Sequence, residues 1–174
     1  HGSYYEKDAN GDLTGFISES DAAAPFMEEN KSPLKVLGSY EAVLEDFVSR
    51  GYTSVASLGY NLPPLAAKWA GNYWTTPTIR QFFYMKDGEF EMLPDSPQNG
   101  NDYFKVLGVK LWHDGSPYTG TMHLHQPYLF NHVSETMGIS AGHIGASRLS
   151  EEDFERQLRQ FHDQGWQIAV HSQG

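Results

Sequence analysis

The chain has 174 residues, of which 39% are hydrophobic and 20% are charged, and this balance is typical of one globular domain with a sizeable core. Its formal net charge of −10 argues against a nucleic-acid partner, because phosphate contacts require an excess of Lys and Arg. We also expect no membrane span, since no apolar run approaches the roughly 20 residues that a bilayer requires. The chain has no cysteine, which excludes disulfides and thiolate metal ligands.

The first 35 residues predict a β-hairpin followed by a polar connecting segment. A turn signal, Asp8-Ala9-Asn10-Gly11-Asp12, separates Tyr4-Tyr5 from the run Leu13 to Ile17. The same stretch has the acidic spacing of a calcium loop, with Glu19 at its last position, but Leu13 stands where that loop requires glycine. We therefore predict a hairpin turn rather than a calcium site.

From residue 36 the pattern changes to alternating helices and strands. Helices are predicted from Ser39 to Gly51, over 61–71, and from Ser150 to Gly165. Strands are predicted over 52–57, 78–85, 106–111 and 166–171. The buried face of the first helix is predicted to carry Tyr40, Val43, Leu44, Phe47 and Val48.

This alternation predicts the fold class, because strands joined by helices form right-handed units with a parallel sheet. About four strands fit a partial (β/α)₈ TIM-type barrel or a small open sheet, and we favour the barrel. The predicted domains are 1–35, the hairpin and connection, and 36–174, the partial barrel. The chain stops directly after a strand, at 172–174, so we expect it to be a piece of a larger protein.

Lys110 interrupts an apolar strand, and a buried ammonium is costly unless it is paired or chemically altered. Side chains alternate across a strand, so Lys110 lies on the face opposite Val109 and Leu111. His171 has the corresponding position in the last strand. Both residues stand toward the C-terminal ends of their strands, where (β/α)₈ enzymes carry the active site.

A lysine and a histidine can together hold a metal if the lysine amine takes up carbon dioxide and becomes a carbamate. A neutral histidine supplies a nitrogen ligand at about 2.0–2.1 Å from zinc, and the metal lowers the pKa of bound water to about 7. The residues alone leave other interpretations open. Lys110 could extend from the strand end into solvent, and His171 could be a hydrogen-bonded core histidine.

Two stretches resemble signatures of the amidohydrolase superfamily: Gly108-Val109-Lys110-Leu111 with Asp114-Gly115, and Gly165 to His171. Within this superfamily, the sequence most resembles amidohydrolase family 3. Further matching segments are Asp12 to Gly15, Gly51 to Val55 and Pro127-Tyr128. The resemblance implies a metal-dependent (β/α)₈ hydrolase that uses one or two divalent metals, Zn²⁺ in particular, to cleave C–N bonds in small amides or cyclic amides.

The resemblance also implies roles for three residues. Lys110 matches the carboxylated, metal-bridging lysine, His171 matches a metal-binding histidine, and Asp114 matches an acid that supports the site. The family's paired histidines of the first strand, its later histidine and its catalytic aspartate have no counterparts here. We therefore assign no catalytic residue within the chain, and expect it alone to be inactive and to self-associate through exposed strand edges.

The long loop after the Lys110 strand supplies further candidates for substrate contacts. They are His113, Tyr118, His123 and His125. The pair His123-x-His125 has the spacing of the family's first metal motif, but it follows the lysine strand, so we interpret it as an exposed loop pair. An alternative function is a non-catalytic ligand-binding or interaction module; a carbohydrate-cleaving barrel ranks last, because it needs two carboxylates at strand ends.

Overall fold

The computed structural model describes residues 4–18, 20–27, 33–61 and 79–174. The chain divides into two compact units, His1–Val43 and Leu44–Gly174. Among the described residues, no helix combines the length and the apolar character needed to cross a membrane.

The predicted hairpin is present at the start of the first unit. Strand β1 (Tyr4–Lys7) pairs antiparallel with β2 (Leu13–Ser18). The Asp8 carboxylate closes the turn, because its Oδ1 accepts hydrogen bonds from the backbone N–H groups of Asn10 at 2.8 Å and Asp12 at 3.0 Å. Hydrogen bonds from the backbone of Asp12 and Asn10 lower the pKa of Asp8. The prediction of a turn is confirmed.

The predicted polar connection is wrong, because helix α1 (Ser20–Met27) follows the hairpin. The Tyr5 hydroxyl donates to the Ala22 carbonyl oxygen at 2.7 Å and joins this helix to the hairpin. Helix α2 (Pro33–Ser49) begins before Ser39, the predicted N-cap. Proline suits a first helical position, where its missing N–H removes no hydrogen bond.

Helix α2 ends as predicted, but its predicted apolar face is only partly covered. Gly51 adopts a φ of +86°, which permits the chain to turn after the helix. Phe47 packs edge-on against Tyr52, with ring centroids 5.5 Å apart. Val43 and Val48 remain 53% and 37% exposed.

The second unit contains a four-stranded parallel sheet in the order β3-β4-β5-β6, which confirms the partial barrel. Its strands are β3 (Ser54–Tyr60), β4 (Arg80–Lys86), β5 (Phe104–Trp112) and β6 (Gln167–His171). The helix predicted over 61–71 lies, except for its first residue, outside the described residues, as does residue 78.

Two helices lie between β5 and β6, and the longer one has the predicted start. They are α3 (His132–Thr136) and α4 (Glu151–His162). The Ser150 hydroxyl accepts a hydrogen bond from the Asp153 backbone N–H at 3.1 Å and donates one to its carboxylate at 2.8 Å. Gly165, with a φ of +82°, follows the helix as predicted.

One face of the sheet packs against α4 and forms the core. The buried core residues are Phe83, Met85, Phe104, Val106, Val109, Leu111, Phe161 and Trp166. Val106 and Val109 share this face because the register between β4 and β5 shifts: Phe83 pairs with Val106, and the next residue pairs with Gly108. The opposite side of the sheet, which we call the interior face, carries Lys110.

Candidate metal centre

The interior face brings Lys110 and His171 onto neighbouring strands. Three register pairs join β5 to β6 here: Gly108 with Gln167, Lys110 with Ala169, and Trp112 with His171. Paired residues of adjacent strands project to the same side. Lys110 and His171 therefore share one face and stand two positions apart along it, near the C-terminal ends of their strands.

Lys110 is buried, with only 8% of its surface exposed, so its side chain does not extend into solvent. Within the described part of the chain, no carboxylate lies within 4.0 Å of its Nζ. Its neighbour is the Trp112 ring, whose centroid is 5.2 Å from Nζ. Burial lowers the pKa of the Lys110 amine, which increases the fraction of the neutral form.

His171 is held in one orientation by a backbone carbonyl. Its Nε2 lies 2.9 Å from the Gly115 carbonyl oxygen and 3.8 Å from Asp114 Oδ1. A carbonyl oxygen can only accept, so Nε2 carries the proton and Nδ1 of the neutral ring carries the lone pair. None of the described residues hydrogen-bonds to Nδ1, which leaves this nitrogen available as a ligand.

Asp114 connects the loop after β5 to the segment after β6. Its carboxylate is 1% exposed and accepts three hydrogen bonds of 3.0 Å, from the backbone N–H groups of His123, Gln173 and Gly174. We call these four residues the Asp114 clasp. Burial raises the pKa of Asp114, but the three N–H donors and the nearby His171 together outweigh burial and lower it.

The structure separates the loop candidates into three groups. His123 joins the Asp114 clasp through its backbone, and its Nδ1 lies 3.0 Å from Ser147 Oγ. Tyr118 is 85% exposed, and His125 is also exposed. His113 lies on the other side of the sheet, because alternation places it with Leu111; its ring centroid is 5.1 Å from that of Phe154 in α4.

Two participants in the site had no assigned role in the sequence analysis. Trp112 follows Lys110 by two positions on β5 and so lies on the same face, but an aromatic residue more often serves packing, and its contact with Lys110 depends on a rotamer. The Gly115 carbonyl carries no side-chain signal at all. His162 is exposed on α4, where its Nδ1 lies 3.4 Å from Asp163 Oδ1.

The donors present suit a metal site but do not complete one. No group of three or more His, Asp or Glu side chains that could hold a metal occurs among the described residues. His171 offers an available imidazole nitrogen, and Lys110 offers a buried amine without an anionic partner within the described ranges. Nitrogen and carboxylate-type oxygen ligands are suitable donors for zinc.

Two solved structures share this fold. One is an uncharacterized metal-dependent hydrolase from Pyrococcus horikoshii OT3, with a TM-score of 0.68 and 21% identity over 95% of this chain and 33% of that chain. The other is an uncharacterized metal-dependent hydrolase from Pyrococcus furiosus, with a TM-score of 0.67 and 20% identity over 92% of this chain and 33% of that chain. This chain thus spans about a third of either structure.

A comparison with curated proteins gave no match. The model of the amidohydrolase family, in contrast, matches residues 1–174, the full length of the sequence. The family match agrees with the parallel half-barrel sheet of the second unit. The chain therefore belongs to the amidohydrolase family.

Proposed function

We propose that the protein is a metal-dependent hydrolase that cleaves C–N bonds in amides or cyclic amides, with Lys110 and His171 as metal ligands. Family membership supports this proposal, as do two similar folds whose names include metal-dependent hydrolase. The observation that carries it is that a buried lysine amine and an available histidine nitrogen lie on the same face of the sheet, two positions apart on neighbouring strands.

Lys110 would act as a carbamate. A bond forms between its neutral Nζ and the carbon of carbon dioxide, and one proton leaves to solvent. The product is an anionic oxygen ligand on a long side chain, and it removes the cost of a buried ammonium. The absence of a carboxylate near Nζ in the described ranges leaves the amine unpaired and favours this change.

His171 would bind through Nδ1, because the Gly115 carbonyl holds the proton on Nε2. The Asp114 clasp fixes the segment that follows His171 and places the Asp114 carboxylate 3.8 Å from Nε2. When bound, a divalent cation such as Zn²⁺ supplies Lewis acidity and lowers the pKa of a coordinated water to about 7.

Metal analysis of the protein at its full natural length tests this assignment. We expect bound zinc in the wild type, and a loss of affinity of about tenfold or more in Lys110→Ala and His171→Ala, in line with the loss of a ligand-shell group. Matched controls are Lys105→Ala, which changes another lysine of β5, and His162→Ala, which changes an exposed histidine. Both controls should retain wild-type zinc.

Equal zinc affinity in all five proteins would contradict the assignment of ligands. Amide hydrolysis should fall together with zinc in the two ligand variants. A protein that binds small amides, but neither contains zinc nor hydrolyses them, would instead support the alternative of a ligand-binding module.

A further inference from the structure

The interior face has two chemically different halves. The half formed by β5 and β6 carries the polar groups of the candidate metal centre. On the other half, Leu58 of β3 pairs with Tyr84 of β4, and Leu58 remains 53% exposed. The Tyr84 hydroxyl donates to Gln167 Oε1 at 2.7 Å across the side-chain-free Gly108, which shows that these residues share the face of Lys110.

Trp112 reaches the half formed by β3 and β4, whose interior face also carries Lys86, the register partner of Lys110, although its own strand neighbour is His171. A Cβ atom added to Gly59 would lie 3.1 Å from Trp112 Cη2, so the indole extends across the end of β4 and reaches β3. Gly59 has a φ of +105° and stands where the register of β3 shifts. Because Gly59 has no side chain, the indole of Trp112 has room to lie against β3 rather than toward β6.

Lys110 lies between the two halves, because its Nζ is 5.2 Å from the Trp112 ring centroid and its Cγ is 3.9 Å from the added Cβ position at Gly59. In (β/α)₈ enzymes the substrate occupies the space beyond the C-terminal ends of the strands. A substrate whose scissile bond lies beside Lys110 and His171 therefore has the indole along one side.

We propose that Trp112, seated on Gly59 and flanked by Leu58, is a specificity-determining residue that selects amides with a planar aromatic group next to the scissile bond. This inference rests on the proposed function and adds the class of substrate. Aromatic rings attract one another in offset or edge-to-face arrangements, and such a pair contributes more binding free energy than the burial of its apolar area alone. A small alkyl amide would leave the wall formed by Trp112 and Leu58 uncovered.

Binding of two probes to the metal-free, full-length protein tests the inference without relying on catalysis. The aromatic probe is 4-nitroacetanilide and the alkyl probe is N-methylacetamide, both titrated by calorimetry. We expect the wild type to prefer the anilide and its indole fluorescence to be quenched on binding. In Trp112→Ala the anilide affinity should fall about tenfold or more, while the affinity for N-methylacetamide stays unchanged.

Three further variants separate specificity from folding. Trp112→Phe keeps an aromatic face and should retain the anilide affinity within about threefold. Gly59→Ala should weaken anilide binding while the indole is still present, because the new methyl group meets the ring at 3.1 Å; its urea unfolding is measured alongside, since a φ of +105° strains alanine. Tyr103→Ala removes a half-exposed aromatic ring just before β5, at the opposite end of the strand from Trp112, and should change neither affinity.

Failure of the wild type to bind the anilide, or an unchanged anilide preference in Trp112→Ala, would overturn the inference. The metal analysis distinguishes this result from failure of the proposed function. If Lys110→Ala loses zinc but Trp112→Ala binds the anilide as the wild type does, the inference about Trp112 is overturned and the proposed function is not. If Lys110→Ala keeps its zinc but Trp112→Ala loses anilide binding, the role of Trp112 is supported and the assignment of Lys110 as a metal ligand is overturned.

Discussion

Asp114 is the residue on which the local geometry of the candidate site depends most directly. A buried carboxylate is tolerated here because three backbone N–H groups satisfy it and His171 lies nearby. These bonds join the loop after β5 to the segment after β6. The position of the Gly115 carbonyl, and with it the orientation of His171, follows from this arrangement.

We predict that Asp114→Asn destabilises the protein by about 2–3 kcal/mol, because an amide cannot accept all three N–H donors and presents N–H groups of its own. Urea denaturation at neutral pH measures the change. Asp163→Asn is the control, since that side chain is 72% exposed, and it should alter stability by less than about 0.5 kcal/mol. Equal stability of the two variants would contradict the role of the Asp114 clasp.

The same pair of variants gives a dependence on pH. The pKa of Asp114 is below its ordinary value of 3.8 in the folded protein, so the ionised carboxylate stabilises the fold above that value. This contribution is lost as the pH falls through the folded-state pKa. The difference in the free energy of unfolding between wild type and Asp114→Asn should therefore narrow below about pH 4. A constant difference down to pH 2 would argue against a stabilising Asp114 carboxylate.

At the scale of elements, α4 matters because it covers the core side of the strands that carry Lys110 and His171. Its start is set by one side chain, the Ser150 hydroxyl, which caps the helix through Asp153. Phe161 then packs into the core beside Trp166. The helix therefore supports the candidate site from behind.

Ser150→Ala should destabilise the protein by about 1 kcal/mol, since it leaves helical N–H groups without their cap. Thermal unfolding followed by circular dichroism measures this change. Ser172→Ala, which alters an exposed serine outside any helix or strand, is the control and should have the wild-type melting temperature. An unchanged melting temperature in Ser150→Ala would show that the cap contributes nothing.

The elements that sequence patterns predicted well are those with a strong local signal. The four strands and α4 have clear apolar periods and, for α4, a capping serine, so their existence depends little on distant residues. Helix α1 was missed because 20–27 contain a proline and small residues without a clear apolar stripe. The start of α2 was misplaced because Ser39 has the chemistry of a cap but lies inside the helix.

At the scale of the whole molecule, β3 and β6 are the outer strands of the sheet within the described residues. Val170 of β6 is 40% exposed on the face where a covering element would pack. Unpaired strand edges are templates for association with another chain. This combination is the basis for the expected self-association of the 174-residue chain.

Light scattering of the isolated 174-residue chain should detect a dimer or a larger species. Val170→Lys should shift it toward the monomer, because charge on an edge strand opposes pairing. Val43→Lys, which changes an exposed position of α2, should leave the association unchanged. A wild-type chain that remains monomeric at high concentration would contradict this prediction.

The parts of the candidate site that follow from side-chain alternation along a strand were predictable from the sequence. The parts that depend on hydrogen bonds to distant backbone groups were not. Alternation along two strands was sufficient to place Lys110 and His171 on one face. His171 Nε2 donates a hydrogen bond to a carbonyl oxygen 56 residues away in sequence, and this bond leaves Nδ1 as the free nitrogen. Such a contact follows from the register of β5 with β6, which the side-chain pattern does not encode.

The Asp114 clasp also imposes an order of assembly on the chain. Its bonds to Gln173 and Gly174 close loops of 59 and 60 residues, so they cannot form until all of β6 has been synthesised. Long loops of this kind close late, since their entropic cost precedes any gain from the contact. During synthesis, Lys110 and Asp114 therefore emerge before the residues that complete the Asp114 clasp, and the clasp can fix the surroundings of His171 only after residues 173 and 174 have been added.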